Sequence, residues 1–310
     1  MPHMQALRLH EYGNLDYVHL ETLPDVEVGP GQILVRNHAS GVNPVDWKVA
    51  LGHIQPPWIL PFTLGWDSAG VVETVGAGVS TFKPGDRVFG MPNFIKAGSH
   101  ATQQLFTEDE VVPLPNAVSF AQGACLPVAG LTAWQSLFNA ANLQAGQAVL
   151  IHAAAGAVGL LAVQFAKQAG AYVIATASSP KHSFVRSLGA DQIIDYRTTA
   201  FESVVRGVDV VFDTMGGEVQ TKSYGALKPG GYIVSTVHPP DAAVLEAQGL
   251  RGSMVTITPH IGTLTEIARR ASAGELAIVI DRTLPASDFR DAFDYSITGR
   301  AQGKIILAWE

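Results

Sequence analysis

Residues Ala148–Lys181 read AVLIHAAAGAVGLLAVQFAKQAGAYVIATASSPK. An apolar run, Ala148–His152, enters a turn of small residues. A helical stretch leaves the turn, and a second strand-like run follows at Tyr172–Ala177. In that strand–turn–helix–strand setting the glycines at Gly156 and Gly159 carry chemical meaning. Gly156 would let the backbone approach a pyrophosphate, and Gly159 would let the helix pack closely on the strand. The helix start, Ala155-Gly156-Ala157-Val158, offers free N–H groups and a positive dipole to phosphate oxygens. Ala154 stands where a G-x-G-x-x-G pattern has its first glycine. The pattern predicts a dinucleotide site; the alternative is an α/β turn that binds nothing.

The end of the second strand bears on which dinucleotide. A fold built for NAD usually places Asp or Glu there, to accept hydrogen bonds from the adenosine ribose hydroxyls. Here the run is Ala177-Ser178-Ser179-Pro180-Lys181. A carboxylate would repel the extra phosphate of NADP. Two hydroxyls and an ammonium would bind it through charge-assisted hydrogen bonds. Ser-Ser-Pro is also ordinary helix-start chemistry, and Lys181 reads equally as a solvated first-turn lysine. Neither accounts for the missing acid, so NADPH is the expected cofactor.

The elements that must position these residues belong to a chain of 310 residues, enough for two domains with a core each. Apolar residues make up 47% and charged residues 15%, a globular rather than a disordered composition. A net charge of −7 argues against nucleic acid or an anionic membrane as the main partner. The single cysteine, Cys125, excludes a disulfide framework and fits a reducing, cytoplasmic setting. The start, MPHMQALRLHEYGN, has no apolar core of a signal peptide, and Met1–His3 reads as a remnant ahead of Met4. Ala148–Ala166 carries no formal charge and mimics a membrane span. It contains His152, Gln164 and two glycines, and the nucleotide turn divides it; a buried parallel strand plus a core helix explains it better.

The chain has no internal repeat or low-complexity tract. Residues 1–120 are rich in Gly, Pro and short β-like runs, Gln32–Asn37, Ala69–Val75 and Asp86–Phe89, punctuated by turn signals. From about Ser119 helices and strands alternate. Strands are expected at Gln192–Asp195, Val208–Asp213, Gly231–Val237 and Gly252–Ile257, with helices at Glu218–Leu227 and Asp241–Gln248 between them. That is a doubly wound α/β sheet of about six parallel strands. The tail is expected to form a helix (Thr263–Ala273), a strand (Leu276–Ile280), a helix (Ser287–Thr298) and a strand (Lys304–Ala308). The two tail strands are surplus to the nucleotide sheet, so the tail is expected to return to the first domain.

The chain resembles the medium-chain dehydrogenase/reductase superfamily, in its zinc-free quinone oxidoreductase and enone reductase branch, over essentially its whole length. The residues that carry the resemblance are Gly41–Lys48 (GVNPVDWK), Gly65–Val71 (GWDSAGV), Phe82–Val88 (FKPGDRV), Leu131–Trp134 (LTAW), His152–Gly159 (HAAAGAVG), Asp195-Tyr196-Arg197 and Gly303-Lys304-Ile305. Ala157 departs from the pattern, since glycine is commoner there, and its methyl group presses on the diphosphate position. The resemblance implies a GroES-like, mostly β catalytic domain over 1–120, completed by 258–310. It implies a Rossmann domain over 121–257, and a homodimer is common in the family.

Catalytic zinc needs three protein ligands, and structural zinc usually takes four thiolates, which one cysteine cannot supply. Zinc-dependent relatives place Cys where this chain has Asn43 and His where it has Trp66; their proton-relay hydroxyl corresponds to Val45. The ten histidines show no metal-ligand spacing. Metal-free hydride addition to an acceptor that is already electrophilic is the chemistry left.

By resemblance, Asn43 lies near the nicotinamide and its ribose, Thr132 contacts the nicotinamide, and backbone around Ser235-Thr236-Val237 holds the carboxamide. Tyr196 joins Ser178, Ser179 and Lys181 around the extra phosphate. Lys48 occupies the place where some enone-reducing relatives carry lysine; its ammonium would polarise the acceptor carbonyl and donate a proton. It also reads as a solvated loop lysine or a ribose contact. Asp46 is expected to be structural. Trp47, Trp58, Phe62 and Trp66 read first as core packing, with Trp58 and Trp66 as candidates to line a pocket for a flat apolar substrate. The expected activity is NADPH-dependent reduction of a small quinone or of the C=C bond of an α,β-unsaturated carbonyl. The alternatives are a trans-acting enoyl-thioester reductase and a non-catalytic NADPH-binding protein.

Overall fold

The computed structural model describes residues 4–96 and 98–309, so Met1–His3 lies outside the described residues. The chain divides into two units, one running to Leu131 and resuming at Thr258, the other spanning Thr132–Ile257.

The second unit is a six-stranded sheet in which every pairing is parallel. Its spatial order is Gln192–Ile194, Tyr172–Thr176, Ala148–Ile151, Val208–Asp213, Leu227–Ser235, Arg251–Met254. The chain enters at Ala148–Ile151 in the middle, winds to one edge, then returns to wind to the other. The strand order therefore reverses beside Ala148–Ile151, and ligands of such sheets bind outside the carboxyl ends at that reversal. Val149, Leu150, Ile151, Val211, Phe212, Ile233 and Val234 are fully buried. This is why these strands read as unbroken apolar runs: helices cover both faces of the sheet. Helix Ala157–Gln168 buries Leu160, Leu161, Val163 and Phe165, so the charge-free stretch is core. Among the described residues no helix is long and apolar enough to cross a membrane.

The first unit is mostly β. Val18–Leu23, Met4–Leu9 and Phe62–Thr63 form a three-stranded antiparallel sheet. A seven-stranded sheet is built on the long strand Gln32–Val42. That strand pairs with Asp67–Val75, Gln103–Thr107 and the C-terminal Lys304–Ala308. Its core includes Ile33, Val35, Val72, Val88 and Phe106.

Two expectations shift. The first unit continues past residue 120 to Leu131, because the short helix Phe120–Gly123 packs on its sheet and the Val128 amide donates to Asp67 Oδ1 at 2.7 Å. A strand at Leu276–Ile280 does not form; the strand is Ile280–Pro285, parallel to Lys304–Ala308. The apolar run misled because this edge strand is polar and largely exposed, and an edge tolerates Pro285.

Candidate active site

The nucleotide turn follows strand Ala148–Ile151. The Ala154 amide donates to Thr176 O (3.0 Å) and the Gly156 amide to Ala153 O (3.0 Å), which ties the turn to the neighbouring strand. Ala153 sits at φ +49°, an uncommon conformation for a residue with a side chain. A Cβ on Gly159 would lie 2.4 Å from Ala153 O, so the tightness of the turn itself requires glycine there. Gly156 is different. A Cβ would meet only Ala153 O, at an ordinary 3.4 Å, so the protein leaves open space in front of this backbone. Gly156 is also the N-cap of helix Ala157–Gln168 and supplies no side-chain cap, and the first helical bond is Leu160 N to Gly156 O. The amides of Ala157, Val158 and Gly159 are thus uncapped, in a cradle suited to a diphosphate. His152 beneath the turn bonds Ser223 Oγ through Nε2 (2.9 Å); burial pushes its pKa down to about 4, against the opposing Asp213 carboxylate, so the ring is neutral.

At the next strand end Ser178 is buried and Ser179 exposed. The second strand ends without an acid, as the sequence reads, but an acid from another strand lies beside it. Asp195, just past strand Gln192–Ile194, reaches across so that its Oδ2 accepts from the Ser179 amide (3.2 Å) and hydroxyl. Tyr196 beside it is exposed, with the Arg197 guanidinium 5.8 Å from its ring centre. Lys181 ends the 3-10 turn Ser179–Lys181.

Two strands further on, Asp213 is fully buried. Its Oδ1 accepts from the amides of Met215 and Gly216, both at 2.9 Å, and its Oδ2 from Ser235 Oγ (2.9 Å) and Gln220 Nε2 (3.1 Å). Ser235 Oγ in turn accepts from the Val237 amide (3.2 Å), and the Thr236 amide donates to Asp213 O (3.1 Å). The amide donors of Thr236 and Val237 are therefore engaged. Thr132 is buried on helix Pro127–Trp134.

In the first unit Asn43 follows the long strand Gln32–Val42 and caps helix Pro44–Ala50, with Pro44 at the first helical position. Asp46 accepts from the Asn43 amide at 2.6 Å, the return half of a capping box, which gives Asp46 its structural role. The Asn43 side chain is saturated as a donor: Nδ2 donates to Asp67 Oδ2 (2.7 Å) and Gly41 O (3.2 Å), while Oδ1 accepts from Lys304 Nζ (2.5 Å). Lys304 Nζ also lies 2.6 Å from Asp67 Oδ2, both side chains almost wholly buried. A Cβ on Gly41 would lie 2.5 Å from Lys304 Cε and 2.7 Å from Asp67 Oδ2, so glycine makes room for this ion pair. Behind it, the Trp309 indole donates to Ser40 Oγ (2.8 Å), which bonds His100 Nδ1 (2.8 Å). His100 Nε2 then faces Asp46 Oδ2 at 3.3 Å, without hydrogen-bond alignment. With its donors engaged, Asn43 can only accept from an incoming group, as a ribose hydroxyl would require.

Lys48 lies on the same helix, half-buried, its ammonium 5.7 Å from the Trp47 ring centre and without a carboxylate partner among the described residues. Burial lowers its pKa. Of the aromatic candidates, Trp66 is 1% exposed, stacks on Phe94 (5.0 Å between ring centres) and donates its indole N–H to Phe94 O. It packs the core rather than lining an open pocket. Trp58 is half-buried, stacked on Phe62 at 4.0 Å, and its buried indole N–H has no partner.

Sequence reasoning gave no role to Asp67, His100, Lys304, Asp195 or Asp213. A lysine opening the apolar strand KIILA and an aspartate at the head of DSAGVV were the available signals, since charges in buried strands need partners. Among the described residues no group of three His, Cys, Asp or Glu side chains could hold a metal, so the residues present do not fit a zinc site.

Residues 29–124 match the alcohol dehydrogenase GroES-like domain family, and residues 188–307 match a family described as zinc-binding dehydrogenase. The chain is 34% identical to the chloroplast envelope quinone oxidoreductase homolog of Arabidopsis thaliana, over 98% of each chain. It is 34% identical to the 2-methylene-furan-3-one reductase of Solanum lycopersicum, over 98% of this chain and 79% of that one. Its fold superposes on Escherichia coli quinone oxidoreductase complexed with NADPH with a TM-score of 0.90, at 27% identity, covering 98% of this chain and 100% of that one.

Proposed function

The chain belongs to the medium-chain dehydrogenase/reductase superfamily, in its zinc-free quinone oxidoreductase branch, and we propose that this oxidoreductase reduces quinones or the C=C bond of α,β-unsaturated carbonyls with NADPH. The observation that carries this reading is Lys48: a half-buried ammonium with lowered pKa and no carboxylate partner among the described residues, while neighbouring Asn43 has no donor left to give.

NADPH, when bound, supplies the hydride. The uncapped amides of Ala157 and Val158, with the open face of Gly156, hold the diphosphate. Ser178, Ser179, Lys181 and Tyr196 surround the 2′-phosphate, and the Thr236 and Val237 carbonyls accept from the carboxamide. Asn43 Oδ1 accepts from a ribose hydroxyl. Lys48 donates a hydrogen bond to the acceptor oxygen and stabilises the negative charge that develops there. The resulting enolate carbon takes its proton from Lys48 or from water. Among the described residues no side-chain group suits a Lewis-acid metal, so the acceptor oxygen has only the Lys48 hydrogen bond, which serves an enolate, whose charge is shared with carbon, better than a localised alkoxide.

The test is oxidation of NADPH by the purified protein against a panel of quinones, enones, enoyl thioesters and simple ketones. Turnover with quinones or enones and not with simple ketones is expected. Turnover confined to enoyl thioesters, or none above background, would replace this reading.

A further inference from the structure

Strands Tyr172–Thr176 and Gln192–Ile194 run side by side, with Thr176 opposite Ile194 and the Ala177 amide donating to Ile194 O at 3.1 Å. Asp195 therefore emerges beside Ser178 and Ser179 whatever its sequence distance from them. Its carboxylate is fixed from both sides: Oδ1 accepts from the Arg197 amide (2.9 Å), Oδ2 from the Ser179 amide and hydroxyl. The Ser179 hydroxyl bond first, then the Arg197 amide, hold its carboxyl below the usual carboxylate range, so it stays ionised at neutral pH.

We propose that Asp195 is a specificity-determining residue that limits the preference for NADPH, opposing the 2′-phosphate and accepting from the 2′-hydroxyl of NADH. This rests on the reading that Ser178–Lys181 and Tyr196 surround the adenosine ribose. NAD-binding folds usually deliver an acid from the end of the second strand. This chain delivers one to the same place from the third. The Ser179 hydroxyl has a single hydrogen and Asp195 engages it, so that serine cannot donate to a phosphate without releasing the carboxylate. Like charges at such a site repel, and because the site is exposed the repulsion is modest and screened by salt.

The test is calorimetric titration of the full chain with NADPH, NADH, 2′,5′-ADP and 5′-AMP, for the wild type, Asp195→Asn, Asp195→Ser and Lys181→Ala. Loss of one exposed like charge should tighten NADPH and 2′,5′-ADP about tenfold in Asp195→Asn, with NADH and 5′-AMP changed less than about threefold. The gap between wild type and variant should narrow at high salt. Equal weakening of all four ligands in both Asp195 variants would make Asp195 a merely structural clamp and overturn the inference, as would an unchanged ratio. The NADPH reading fails separately, if wild type binds 2′,5′-ADP no better than 5′-AMP and Lys181→Ala changes neither. In that case Asp195→Asn must still create selectivity for 2′,5′-ADP, or the inference fails as well.

Discussion

The Lys304 ammonium donates to Asn43 Oδ1 at 2.5 Å, joining residues 261 positions apart in the chain. The same ammonium pairs with Asp67, and Asp67 accepts from the other end of the Asn43 amide. The amide orientation of Asn43 is thereby fixed from both ends, with a buried cation on its oxygen side.

Removing that cation should be costly. Lys304→Met leaves the Asp67 carboxylate buried without its countercharge, and breaking a buried pair costs about 3–5 kcal/mol. Urea unfolding should show this loss, and Asp67→Asn combined with Lys304→Met should recover much of it. Additive losses in the double variant would mean that the two residues do not act as a pair.

Lys48 should set an alkaline limit on turnover. Its acid form is the active one, and burial lowers its pKa from 10.5, so kcat should fall as pH rises through a midpoint below 10.5. Lys48→Ala should lower kcat and remove that limb. A change confined to KM, with the alkaline limb intact, would reduce Lys48 to a binding contact.

Lys181 should discriminate between cofactors. Loss of a hydrogen bond to a charged group costs about 1.5–3 kcal/mol, so Lys181→Ala should weaken NADPH about tenfold to a hundredfold. NADH affinity should stay close to wild type. Equal loss for both would separate Lys181 from the 2′-phosphate.

Product labelling should separate conjugate from direct reduction. With 4-deuterated NADPH and an α,β-unsaturated ketone, deuterium is expected at the β-carbon of a saturated ketone. An allylic alcohol labelled at the carbinol carbon would show direct carbonyl reduction and overturn the proposed conjugate addition.

His152 should make the fold acid-sensitive. Its folded pKa is depressed from 6.5 to about 4 by burial, so the unfolded chain binds the extra proton first as pH falls. Stability is full above pH 6.5 and declines as pH drops toward 4, by about 3 kcal/mol across that window. Melting temperatures from pH 7.5 to 4.5 should fall less steeply in His152→Asn than in the wild type. Parallel curves would show that His152 does not carry the effect.

The nucleotide turn was legible in the sequence because it is local. The small residues from Ala153 to Gly159, set between an apolar strand and an apolar helix, specify strand, turn and helix within a dozen positions, and the alternating elements after it specify a doubly wound sheet. That Asn43 and Trp66 are not zinc-ligand residue types can be read from the sequence, because a side-chain amide and an indole are not the thiolate, imidazole or carboxylate that zinc takes. Tertiary structure decided whatever depends on strand order. Asp195 meets Ser179 because two parallel strands place their carboxyl ends together, which no local pattern encodes. Lys304 meets Asn43 and Asp67 because the C-terminal strand pairs antiparallel with Gln32–Val42, setting Ile305 opposite Val42. A buried charge states only that a partner must exist; the sheet register determines which residue it is.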